Sequence, residues 1–134
     1  MGRGQASVTA VEAAIGVLLL FSVTLTFALG AADPTADRTQ LDAYASDALT
    51  ILASEQPRHS GATRLAELTA SPESFEREKA TVRRRLGRLL PPNVFFRVET
   101  AHGSVGNRLP DGVTTGVATV TTRTGTVTLR VWYV

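Results

Sequence analysis

The sequence contains no cysteine, one lysine and two histidines among its 134 residues. Absent thiols exclude disulfide scaffolds, thiol catalysis and cysteine-ligated zinc sites. Two histidines leave little room for a histidine-rich metal centre. Basic side chains are plentiful, but 13 of the 14 are arginine and 12 acids oppose them, leaving a net charge of +2. So small an excess does not announce a nucleic-acid binder. Charge is also missing from one long stretch. No acidic or basic residue occurs from Ala13 to Ala32, so all 26 charged side chains fall on the other 114 positions.

That run of 20 residues decides the class of protein. At helical rise it spans roughly 30 Å, about the hydrocarbon thickness of a bilayer. Only a helix satisfies its own backbone donors and acceptors there. Leu18, Leu19, Leu20, Phe21, Leu25, Phe27 and Leu29 supply an apolar surface on all sides. A domain this small could hardly bury such a helix in a water-soluble core. The expected organisation is a cytoplasmic segment at 1–12, a transmembrane helix at 13–32 and an extracytoplasmic domain at 33–134. Arg3 and the amino terminus precede the run, while Asp33 and Asp37 follow it, which favours the N-terminus inside and a cell-membrane location. Ala28-Leu29-Gly30 offers a small-x-small triplet to a signal peptidase. Retention as an anchor is favoured because the run exceeds the 7–15 residues usual for a signal core. Either outcome leaves the domain outside.

Beyond Asp33-Pro34, which ends or kinks the first helix, Leu41, Ala45, Ala48, Leu49 and Leu52 recur at helical steps. The pattern fades at Gln56-Pro57, and a short helical piece is expected over residues 62–69. Ser71, Pro72 and Glu73 punctuate a third helix start. Phe75, Val82, Leu86, Leu89 and Leu90 form its apolar stripe, opposite Arg77, Arg84 and Arg88, and Pro91-Pro92 stops it. The period then becomes two. Strands are expected over 94–100, 113–122 and 126–134, the last two joined at Arg123-Thr124-Gly125. The expected fold class is α+β, with an N-terminal transmembrane helix followed by helices packed on a C-terminal antiparallel sheet.

This plan resembles that of type IV pilin-like proteins. Arg3-Gly4-Gln5-Ala6, then Glu12, then an apolar helix resembles the opening of small archaeal pilin-like proteins, haloarchaeal ones in particular. It is also similar to the Arg-Gly…Glu opening of TadE-like pseudopilins. Segments 44–68 and 130–134 resemble a haloarchaeal family of small membrane proteins over most of the chain. The resemblance implies a non-enzymatic component of a surface or secretion apparatus, with other pilin-like subunits as homo- or hetero-oligomeric partners. It further implies that Glu12 neutralises a neighbour's N-terminal amine or another basic group inside a helix bundle. Cleavage after Gly4 would make Glu12 the eighth mature residue; cleavage after Ser7 would make it the fifth.

Each candidate residue has an ordinary alternative. Glu12 also fits the headgroup level, marking the helix entrance. Ser22, Thr26 and Gly30 recur every fourth residue and permit close helix–helix approach, although small residues are frequent in single-pass anchors. Arg84 and Arg88 are candidates for an acidic partner or lipid headgroups, or simply a solvated face with Arg83 and Arg85. No aromatic platform or groove-reading motif accompanies them, so nucleic acid is not an expected partner. His59 and His102 lie in Gly/Ser-rich turn sequence, and no converging base and nucleophile is legible. Gly103-Ser104-Val105-Gly106 lacks the lysine and helix of a phosphate loop. No catalytic, metal or cofactor-binding residue is therefore assigned, and no cofactor is expected. Besides the bilayer-anchored assembly subunit, two other readings stand: an anchored or secreted binding module that does not assemble, and a membrane-attached hydrolase resting on the scattered His and Ser residues.

Overall fold

The computed structural model describes Glu12, Ala14, Ile15, Val17, residues 34–59 and residues 61–134. The four early residues are helical and exposed. The remainder of the 13–32 run lies outside the described residues, and Ser22, Thr26 and Gly30 with it. Among the described residues, no helix is long and apolar enough to cross a membrane. The chain divides into two compact units, Met1–Ala36 and Asp37–Val134.

The first fully described helix, α1 (Pro34–Ser54), opens on the proline, whose missing N–H costs nothing in a first turn. Leu41, Ala45, Ala48, Leu49 and Leu52 are all buried, as their spacing predicts. Pro57 then disfavours helical backbone at Gln56, so the chain leaves the helix there. A six-residue helix, α2 (Arg64–Thr69), follows, capped by the Thr63 hydroxyl. Helix α3 (Pro72–Leu89) starts as its punctuation predicts: Ser71 is extended, its side chain accepts from the Ser74 N–H, and Pro72 occupies the first turn. Its buried stripe is Ser74, Phe75, Glu78, Val82 and Leu86. Leu89 is only partly buried against the core, and the stripe contains a glutamate.

The strands are β1 (Val94–Thr100), β2 (Gly103–Gly106), β3 (Gly116–Thr122) and β4 (Gly125–Tyr133). They form one antiparallel sheet in the order β2-β1-β4-β3. Val94, Phe96 and Val98 of β1 and Val127, Leu129 and Val131 of β4 face the helices and complete the core. The protein is therefore α+β, with helices packed on a four-stranded antiparallel sheet. Two details differ from the sequence expectation. Strand β3 begins at Gly116 instead of residue 113, and β2 lies where only turn glycines are expected. Gly103 and Gly106 do adopt positive φ, but the residues between them pair with β1.

Gly116 earns its place through contact, not conformation. A Cβ there would run into the backbone of Leu41 and Asp42. The missing side chain lets α1 lie directly against the start of β3, where the Asp42 carboxylate accepts the Val117 N–H at 2.8 Å. On the opposite sheet face, Phe95 and Trp132 meet edge to face with centroids 6.4 Å apart. Trp132 is 1% exposed although it alternates away from the helical core.

Candidate functional site

A helix as short as α2 is unstable by itself and needs tertiary support. Thr69 at its end supplies much of that support, with its hydroxyl 2.9 Å from that of Thr122 and 2.6 Å from that of Thr124 at the β3–β4 turn. The Thr124 hydroxyl also donates to the Ala66 carbonyl at 2.9 Å. From the other hairpin, His102 places Nε2 3.1 Å from the Thr69 carbonyl oxygen. Both β-turns thus hold α2 in position. Ser74 of α3 donates through its hydroxyl to the Glu67 carbonyl, joining α2 to α3.

These supports fix Glu67, whose side chain is fully buried although it carries a carboxylate. Its Oε2 accepts the Arg58 N–H at 2.7 Å and its Oε1 accepts the His59 N–H at 2.8 Å. One carboxylate therefore gathers the loop between α1 and α2. The same Oε1 lies 3.0 Å from His59 Nδ1. Glu78 approaches from α3 with a side chain that is also completely buried, and its Oε1 lies 2.9 Å from the same Nδ1. One imidazole nitrogen thus faces two carboxylates.

Two arginines accompany the cluster. Arg77 Nε is 3.4 Å from Glu78 Oε1, and Arg58 Nη1 is 3.9 Å from Glu78 Oε2. Both guanidinium side chains are close to half exposed, so solvent screens much of their charge. Glu78 Oε2 is buried and makes no hydrogen bond. A buried carboxylate oxygen without a hydrogen bond is costly. The His59 side chain, 48% exposed, forms the solvent side of the group.

A second feature is an apolar recess of about 220 Å³ between α2 and β3, lined by Ala53, Ala62, Ala66 and Val120 together with Thr63 and Arg123. No carboxylate or imidazole lines it.

The residues singled out from sequence are distributed differently. Glu12 is exposed on a helical segment, while Arg84 and Arg88 lie on the exposed side of α3. Arg84 Nη2 reaches its own helix at Thr81 Oγ1, 3.3 Å away. His102 serves the α2 clamp. His59, read from sequence as turn chemistry or as one of the scattered residues behind the hydrolase reading, is the residue that the fold brings into company with Glu67 and Glu78. Their separations of 8 and 19 residues match no local ligand motif. A readable hint was present nonetheless: Glu78 sits three residues after Phe75 and four before Val82, on the apolar stripe of α3.

No curated protein and no solved structure matches the chain. A family model described as a family of unknown function matches residues 2–133, and the chain therefore belongs to that family, DUF7262.

Proposed function

We propose that this protein is a non-enzymatic, single-pass membrane subunit, pilin-like or pseudopilin-like, of a surface or secretion apparatus. The observation that carries this reading is the uncharged run from Ala13 to Ala32, which a single residue, Asp33, separates from α1. An anchor of bilayer length followed at once by a folded α+β domain suits a subunit that is held at a membrane and presents its domain outside. The helical state and exposure of Glu12, Ala14, Ile15 and Val17 are compatible with such an anchor.

Assembly would run through the membrane helices. Ser22, Thr26 and Gly30 supply a line for close helix approach, and Glu12 supplies a charge that seeks a partner at the helix entrance. Arg84 and Arg88 give the outer domain a cationic face toward acidic groups of a partner subunit or of lipid headgroups. Blue-native electrophoresis after mild detergent extraction tests this reading. The wild-type chain should migrate as an oligomer, and Gly30→Leu or Glu12→Gln should shift it toward the monomer. A wild type that is strictly monomeric contradicts assembly and favours an anchored binding module.

A further inference from the structure

We infer that His59, Glu67 and Glu78 form a binding site for one first-row divalent cation, with zinc the metal that fits the donor set best. The three candidate ligand atoms lie within 4.8 Å of one another. His59 Nδ1 is 3.0 Å from Glu67 Oε1 and 2.9 Å from Glu78 Oε1. In the neutral imidazole with its proton on Nε2, three lone pairs would converge on one small volume. A cation held between them removes that repulsion, and so does the tautomer with its proton on Nδ1. That single N–H cannot point straight at both oxygens. A metal ion engages all three donors at once.

Geometry and chemistry agree with that assignment. Tetrahedral zinc with bonds of about 2.0–2.1 Å holds its ligand atoms about 3.3 Å apart. The observed separations from Nδ1 need to open by only a few tenths of an ångström. One imidazole nitrogen and two carboxylates match zinc and its first-row neighbours, whereas calcium takes six to eight oxygens and magnesium keeps a hydrated oxygen octahedron. Glu78 Oε2, buried and without a hydrogen bond, provides an independent sign that the carboxylate lacks a full complement of partners. The backbone N–H groups of Arg58 and His59 orient the Glu67 carboxylate, as outer-sphere donors do around ligating carboxylates. The partly exposed His59 leaves a route for the ion and a fourth position for water. Arg58 and Arg77 oppose a dication, but both are half in solvent. The bound ion would fasten the 55–63 loop to α2 and α3.

The test uses the full chain in detergent micelles, stripped with chelator and titrated with zinc chloride in an isothermal calorimeter near neutral pH. Running it in two buffers of different ionisation enthalpy counts released protons. The expected result is one zinc per chain with proton release, and a higher unfolding temperature in zinc. His59→Asn, at a partly exposed position, and Glu78→Gln, close in shape, should each weaken binding more than a hundredfold. Asp111→Asn, at an exposed position on the β2–β3 loop, should leave binding unchanged. Far-UV circular dichroism establishes that each variant is folded, and His59→Asn decides the matter alone if Glu78→Gln does not fold. Absence of saturable binding at millimolar zinc overturns the proposal. So does undiminished binding by folded His59→Asn, or loss of binding in Asp111→Asn instead.

Discussion

Glu67 illustrates how one buried side chain can organise a loop that has little regular structure. Its carboxylate accepts two consecutive backbone N–H groups and faces an imidazole, so removing it takes the partner from both donors. Glu67→Ala should destabilise the domain by about 1.5–3 kcal/mol, the range for a lost hydrogen bond to a charged group. Unfolding followed by the fluorescence of Trp132, the single tryptophan, measures the loss. A second residue, Tyr133, donates its hydroxyl to Gln40 Oε1 at 3.1 Å. Burial raises its pKa above the ordinary 10.0, with Tyr44 and Asp37 adding to the effect. Folding therefore binds the phenolic proton more tightly. The associated stabilisation is present below the unfolded tyrosine pKa and is lost as pH rises through the higher folded value. In a Tyr44→Phe background, alkaline difference absorbance should show Tyr133 ionising later than free tyrosine, and Tyr133→Phe should reduce the decline of stability above about pH 10. At this scale the sequence was least informative: a glutamate such as Glu67 carries no label saying that its partners lie in a loop eight or nine residues earlier.

Elements were far more legible, because their signals are local. The Ser71-Pro72 start of α3, the spacing of Leu41 to Leu52 in α1 and the alternation in β1 and β4 are each written within a few turns or residues. Strand β2 was hidden because four residues with glycine at both ends read as a turn until β1 supplies the pairing partner. The burial of Trp132 was likewise beyond periodicity, since its alternation points away from the helices. Contacts between elements yield two predictions. Gly116→Ala should cost about 1–3 kcal/mol, because its Cβ would force α1 off the start of β3. Thr69→Val keeps the shape but removes the hydroxyl that meets both Thr122 and Thr124. Hydrogen exchange should then rise first in α2 and the β3–β4 turn, with the central β1–β4 pair still protected. If β1–β4 amides exchange equally fast, the clamp is not a local device.

At the scale of the whole molecule, the proposed location rests on moving a long uncharged segment from water into hydrocarbon. A charged residue at the centre of a membrane helix costs roughly 2.5–3.5 kcal/mol on the insertion scale, so a pair of them removes much of the drive. The Asp37–Val134 unit has its own core, built by α1, α2, α3 and the sheet, with apolar contacts of its own. Anchor and domain should therefore fail separately: substitutions in the run change location, and substitutions such as Gly116→Ala change folding. The most direct test is alkaline carbonate extraction of membranes from cells that make the full chain, paired with a Leu19→Arg, Leu20→Arg double variant. Wild-type protein should stay in the membrane pellet and the variant should be released. Recovery of intact wild-type chain in the soluble fraction would contradict the proposal that residues 13–32 hold this protein in a bilayer.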